Sequence, residues 1–340
     1  MILGLFVILV AVLILPFSIK KIEHNLEIFL FVMGVAASLI SRQMSGHLAM
    51  EALKDPLPIT AAVLIFGLLF KWSRSLLDSA IQKLLDKIPV PVFVFFLILI
   101  LGLASSIITA IIASLVLVEV ISMLKLDKQF ETRFVIIACF AIGLGAALTP
   151  IGEPLATIAI AKLKSWPDVN FWYLIKLLGV EVIVGVFALS ILSLFFHGKK
   201  QGHGLTGTHR EENYKEIIVR TIKVYFFVMA LVFLGQGFKP VIDIYLVKIS
   251  GDVLYWINMI SAILDNATIT AAEIGPTMTP IQIKKLLMGL LIAGGMLIPG
   301  NIPNIVAASK LKIASKEWAK LGVPLGLILM LLFFFVLEME

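Results

Sequence analysis

Two stretches of this chain repeat one pattern of interruption. Gly145-Ala-Ala-Leu-Thr-Pro-Ile-Gly-Glu-Pro-Leu-Ala-Thr157 leads on to Ala161-Lys-Leu-Lys164, and Ala293-Gly-Gly-Met-Leu-Ile-Pro-Gly-Asn-Ile-Pro-Asn-Ile305 leads on to Ser309-Lys-Leu-Lys312. Each is an apolar helix broken by Gly and Pro at matched places. In lipid every backbone polar group needs a partner, so a break at membrane depth persists only where protein or a wet cavity satisfies it. Paired interrupted segments in two halves of a chain point to a binding site between them.

That argument requires a membrane, and composition supplies it. The chain is 60% hydrophobic and 15% charged with a mean hydropathy of +1.06. Its apolar runs repeatedly reach the roughly 18 to 20 residues that cross a bilayer core. The fold class expected is an all-α polytopic membrane protein. The first run, Ile2 to Phe17, has no basic segment before it and no small-residue cleavage site after it, so it reads as a retained span at which the mature chain begins. A single cysteine, Cys139, excludes disulfides within the chain and reads as a buried inert thiol. The net charge of +6 and pI near 9.3 are what membrane topology asks of loops, and nucleic acid is not expected as a partner.

Spans are expected at Ile2 to Ile19, Leu26 to Ser41, Leu57 to Trp72, Phe134 to Leu163 with its break, Phe171 to Phe196, Ile217 to Phe238, Ile281 to Leu311 with its break, and Leu321 to Leu337. Two apolar stretches, Val90 to Leu124 and Val253 to Thr279, carry polar residues near their middles. These are Ser105, Ser106 and Thr109 in the first, and Ser261, Asp265, Asn266 and Thr268 in the second. Both read as re-entrant hairpins, each preceded by an interfacial candidate, Ser73 to Lys87 and Lys239 to Lys248.

The order span, interfacial helix, hairpin, broken span, span therefore occurs twice. Residues 1–56 hold two additional spans, 57–196 a first repeat (hairpin 90–124, broken helix 134–163), 197–216 a linker, and 217–340 a second repeat (hairpin 253–279, broken helix 281–311). Three crossings per repeat make the second copy inverted. With this layout 19 Lys and Arg fall on one side and 8 on the other. The first side is then cytoplasmic and both termini lie outside a cell membrane. His197, His203 and His209 in the linker fit no zinc spacing. No P-loop, dinucleotide fingerprint, zinc-protease motif or nucleophile elbow lies on a suitable element, so neither ATP hydrolysis nor a cofactor is expected.

The chemistry rests on polar groups within the spans. Carboxylates at membrane depth mark ion or proton pathways by default. Here they are Glu119, Glu153, Glu181, Asp265 and Glu273, with Lys176 as the one cation expected among them. A carboxylate that loses a proton and then coordinates a hard cation suits competition between H⁺ and Na⁺. Asp265-Asn266 offers a carboxylate and an amide at the second hairpin tip, where the bland alternative is a helix cap. Glu153 sits where Gly and Pro free carbonyls, and a purely structural kink is its alternative. The shared Lys-Leu-Lys register makes Asn301 the counterpart of Glu153 and Asn304 that of Ala156, so an asymmetric site is expected. Glu119, Glu181 and Glu273 are secondary candidates, and Lys176 is five residues from Glu181, a poor helical pairing.

Thr149-Pro-Ile-Gly-Glu, Ser261-Ala-Ile-Leu-Asp-Asn with Thr268 two residues on, and Gly294-Gly-Met-Leu-Ile-Pro-Gly resemble signature segments of NhaD-type sodium/proton antiporters. These belong to the ion transporter superfamily, which also holds arsenite permeases and divalent-anion/sodium symporters, and the likeness is to a branch of predicted cation transporters. The resemblance covers the organisation from about Val90 to Lys312. It implies a site of hairpin tips and broken helices with Asp265, Asn266, Thr149 and Thr157, to which Ser105, Thr109, Ser261, Thr268, Asn301 and Asn304 are added from their positions. The chain departs from the antiporter pattern in having Gly152-Glu153-Pro154 in place of Gly-Asp, and it is shorter than typical members. Anion-transporting relatives carry Ser-Asn-Thr at the tips, and an acidic tip repels an anion. The function expected is Na⁺/H⁺ antiport without enzymatic activity, with Na⁺ held by Asp265 and Glu153. A sodium-coupled anion or oxyanion transporter is the alternative. Membrane lipid, Na⁺ and H⁺ are the partners, and a homodimer stays open.

Overall fold

The computed structural model describes residues 1–339 apart from 20, 23–24, 59, 62, 66–67, 70, 74–82, 84–86, 125, 196–212, 246–249, 265 and 276–277. The described residues are overwhelmingly helical and contain no strand. The helices are α1 (Ile2–Ser18), α2 (Leu26–Ile40), α3 (Gly46–Lys54), α4 (Val90–Ile108), α5 (Ala110–Leu124), α6 (Lys128–Ala146), α7 (Pro154–Lys162) and α8 (Tyr173–Leu194). They continue with α9 (Tyr214–Tyr245), α10 (Gly251–Ile257), α11 (Asn266–Glu273), α12 (Pro280–Gly294), α13 (Ile302–Leu311) and α14 (Ser315–Glu338). Described residues between 56 and 73 are also helical.

Among the described residues, α4, α6, α8, α9 as far as Val241, and α14 are long and apolar enough to cross a membrane. The protein is an all-α membrane protein. Helices α8 and α14 leave Val180, Val184, Phe187, Ile328, Leu332 and Phe335 exposed. An apolar belt of that extent suits acyl chains and not water. Helix α6, by contrast, is buried along almost its whole length, which places it at the centre of the bundle.

Two breaks and two chain reversals organise the centre. α6 stops at Ala146 and α7 starts at Pro154. α12 stops at Gly294 and α13 starts at Ile302, with a 3-10 turn at Ile298–Gly300 between them. Between α4 and α5 the chain reverses at Thr109, whose φ of 74° is a backbone state that a β-branched residue adopts only under constraint. The constraint is the neighbouring break, since the Ala110 amide donates to the Gly152 carbonyl at 2.9 Å. Helix α4 measures about 28 Å at the helical rise, enough to cross by itself, yet its end meets the middle of the α6–α7 segment. The second reversal is built from shorter pieces: α10, a 3-10 turn at Asn258–Ala262, and α11.

Ion pairs fix which helix ends lie together. Lys128 at the start of α6 meets Glu317 at the start of α14 at 3.3 Å, and Glu119 late in α5 meets Lys310 late in α13 at 3.2 Å. At the far end of α14, Glu338 meets Lys285 near the start of α12 at 2.5 Å, and Lys285 also meets Asp252 at 2.6 Å. So α6 starts at the end of the bundle where α13 finishes, while α12 starts at the opposite end. The two broken helices run in opposite directions.

Two expectations from sequence need correction, and one helix was missed. Lys239 to Lys248 is not a separate interfacial helix as far as it is described, because α9 runs unbroken through Pro240 to Tyr245. A proline bends a helix by removing one hydrogen bond, but neighbouring packing can carry the helix past it. Helix α3 was not expected. Its signal was the Ser45 cap, whose hydroxyl accepts from the Leu48 amide at 3.1 Å. Lys176 is not the one cation among the carboxylates, since Lys284, Lys285 and Lys310 are all largely buried and paired. The Ser73 to Lys87 candidate and the linker lie mostly outside the described residues.

Candidate ion-binding site

The two breaks share one backbone design. Gly152 and Gly300 each stand six residues beyond the last residue of the preceding helix, and each folds back onto that helix's end. A Cβ on Gly152 would lie 2.0 Å from the Ala146 carbonyl oxygen, and one on Gly300 would lie 2.5 Å from the Gly294 carbonyl oxygen. Only glycine permits this approach. The next residues, Glu153 and Asn301, are both extended (φ −155°, ψ 159° and φ −152°, ψ 149°) and occupy the cap position of α7 and α13. Neither side chain caps its helix.

Those side chains instead border a small cavity of about 30 Å³. Its lining comes from four helix starts: Ala110 and Ile111 of α5, Gly152 to Leu155 entering α7, Asn266 and Ala267 of α11, and Gly300 to Ile302 entering α13. Four helix starts therefore border one space, and a helix start carries partial positive charge, although at α5 the Ala110 amide is already engaged by the Gly152 carbonyl. Glu153, 7% exposed, is the ionisable side chain in the described lining. Asn266 is 5% exposed, and neither its Oδ1 nor its Nδ2 has a hydrogen-bond partner. It packs against the end of α12, where a Cβ on Gly294 would lie 2.7 Å from Nδ2. A buried amide with both ends unmatched signals a ligand or water that belongs there. At about 10 to 15 Å³ per water-sized particle, the cavity holds two such particles or one bare ion with a water.

A family model described as a protein of unknown function (DUF1646) matches residues 2–339. The chain belongs to the DUF1646 family. The match takes in both breaks and both reversals, so the cavity is built wholly from the family's own segment. No curated protein matches the chain.

In this DUF1646 protein the residues singled out from sequence divide by what they touch. Glu153, Asn266 and Asn301 line the cavity. Asn301 also lies against α6, where a Cβ on Gly143 would sit 2.7 Å from its Nδ2. The hydroxyls brace backbone around the cavity. Thr149 donates to the Ser106 carbonyl and accepts from the Ile151 amide at 3.2 Å, and Thr157 donates to the Pro150 carbonyl at 2.6 Å. Ser105 bonds the Gly102 and Ile142 carbonyls at 2.6 and 3.0 Å, and Ser261 the Leu290 carbonyl at 3.1 Å. Thr109 accepts from the Ile112 amide at 3.4 Å. Asn304 donates to the carbonyls of Gly294 and Leu297, both at 2.8 Å, tying the second break shut.

Glu119, Glu181 and Glu273 are not in the cavity lining. Glu119 pairs with Lys310 and Glu181 with Lys284, the latter at 2.6 Å, which accounts for their charge inside the bundle. Glu273 accepts from Asn258 at 3.0 Å. Asp265 and the side chain of Thr268 lie outside the described residues. Sequence reasoning missed Asn258 and the lysine partners. The lysines sit near helix ends, where a basic residue reads as a loop marker.

Proposed function

We propose that this protein is a secondary transporter that exchanges H⁺ for a small monovalent cation, Na⁺ first among them, through the cavity between the two breaks. The observation that carries this reading is the size and charge of that cavity. It holds the Glu153 carboxylate and the unmatched Asn266 amide in a space of about 30 Å³. A bare cation fits there and finds a carboxylate and an amide oxygen, both hard ligands. The same carboxylate takes a proton when the cation leaves, so the two ions compete for one place. Asp265, adjacent in sequence to Asn266, is assigned to the same exchange on the sequence argument above.

In this reading the halves 57–196 and 217–340 form an inverted repeat whose hairpins and broken helices rock about the central site. The opposed directions of the two broken helices support it. The charge asymmetry of the loops assigns both termini to the outside and the linker to the cytoplasm. Cysteine labelling with impermeant reagents tests this on a Cys139→Ser background: Gly204→Cys should react only after the membrane is opened.

A second reading, sodium-coupled anion transport, draws on one observation, the four helix starts that face the cavity. Half-helix amide ends are suited to anions. The volume argues against a polyatomic anion in the conformation described, because a carboxylate or oxyanion is several times larger than a water.

Proteoliposomes with a trapped pH indicator separate the two. Added external Na⁺ should alkalinise the lumen in wild type and fail to do so in Glu153→Gln. Sodium entry that depends on an added anion and moves no proton would replace antiport with the second reading. Full exchange by Glu153→Gln would remove the carboxylate from the mechanism.

A further inference from the structure

Helix α11 carries a row of buried polar groups that leads away from the central cavity. Asn266, Thr270 and Glu273 stand four and three residues apart, spacings that put all three on one face of the helix. Their exposures are 5%, 0% and 5%. Each has a polar atom without a partner: both amide atoms of Asn266, Oγ1 of Thr270 and Oε1 of Glu273. Across from Glu273 is Asn258, wholly buried in the 3-10 turn of the preceding arm. Its Nδ2 donates to Glu273 Oε2 at 3.0 Å while its own Oδ1 has no partner.

Asn258 Oδ1 and the Oε1 of an ionised Glu273 can only accept, and among Asn258, Thr270 and Glu273 the Thr270 hydroxyl is the one donor without a partner. One proton cannot satisfy two acceptors. Glu119 and Glu181 each meet a lysine, whereas among the described residues no lysine or arginine forms an ion pair with Glu273. A buried carboxylate with no cation beside it, an amide oxygen and a hydroxyl are the ligand types of a small hard cation.

We propose that Asn258, Thr270 and Glu273 form a second binding site for a dehydrated monovalent cation of the Na⁺ class, set along α11 from the central cavity. Seven residues separate Asn266 from Glu273, about 10 Å along the helix. Asn258 follows α10, whose first turn is held to Lys285 by Asp252 at the end of the bundle where α12 starts. The site therefore lies between that end and the cavity, a waypoint for ions from one side of the membrane. It depends on the transport reading only for the choice of probe ion.

Equilibrium binding of radioactive Na⁺ to the purified full chain in detergent, with choline holding ionic strength, tests the site. Two Na⁺ per wild-type chain are expected. Thr270→Val and Glu273→Gln should each leave one, or weaken the second by about tenfold or more, the usual effect of removing a hydrogen bond to a charged group. Thr270→Ser should retain both, and melting without Na⁺ should confirm that each variant is folded. Glu153→Gln should also leave one, and Glu153→Gln with Thr270→Val none. If wild type binds one Na⁺ that Glu153→Gln removes and Thr270→Val and Glu273→Gln spare, the second site is refuted and the central one stands. A single Na⁺ that survives Glu153→Gln but not Thr270→Val would support the second site and refute the central one. No Na⁺ binding in wild type would refute both.

Discussion

The two broken helices have the same backbone and different chemistry. At each, a glycine folds onto the end of the preceding helix, the next residue is extended, and a new helix starts beside the cavity. The first break puts a carboxylate at that position, Glu153, and the second an amide, Asn301. One turn on, the first has Ala156, and the second has Asn304 bonded to two carbonyls of its own break. The backbone design serves to end one helix and aim another, and both halves need that. Charge serves to hold an ion, and of the two cap positions only that of the first break carries it. In the second break Asn304 closes the break, while Asn301 borders the cavity without a charge.

The strongest challenge to this contrast is to move the charge. Glu153→Gln should reduce cation affinity by about a hundredfold, the scale of losing a charged ligand in a buried site. Adding Asn301→Asp to that variant should restore part of it, as read by Na⁺-dependent lumen alkalinisation. If Asn301→Asp restores nothing, the two cap positions differ in geometry as well as charge.

Next come the glycines, which test whether the backbones are equally intolerant. Gly152→Ala should destabilise by about 3 kcal/mol or more and Gly300→Ala by somewhat less, since overfilling a packed site costs about 1 to 3 kcal/mol and the first clash is tighter. Melting curves in detergent report both, and the order of the two is the sharper test. Asn304→Ala should cost about 1 to 3 kcal/mol, because two buried carbonyls lose their donor. The smallest effect is expected at Thr157→Val. Its bond to Pro150 braces the first break from an exposed position, and its loss should shift stability by less than about 1 kcal/mol. A Thr157 effect as large as that of Asn304 would mean that the first break depends on side-chain closure as much as the second.

Much of this could be read from residues in order. Gly and Pro act on the backbone at their own positions, so the breaks near Thr149 and Pro299 were visible as local chemistry, as was the match of Glu153 with Asn301. The all-helical membrane fold followed from apolar runs alone. The reading faltered at Pro240, where a local signal to stop was overridden by the packing of α9 along α2 and α3. It also faltered at Ser45, where a cap signal stood unheeded before a short helix.

What sequence could not supply is who faces whom. Glu181 and Lys284 lie 103 residues apart, and Asn258 and Glu273 sit on separate arms of a reversal. From sequence Asp265 and Glu153 ranked above Glu119, Glu181 and Glu273, but no partner could be named for any of them. The tertiary structure gives two of the four described ones a lysine and one the amide of Asn258, and brings Glu153 to the cavity where four helix starts meet. Local covalent preferences write the breaks into the chain. The worth of a buried charge depends on partners that only packing brings near, because electrostatic and hydrogen-bond terms are set by distance in space and not by separation along the chain.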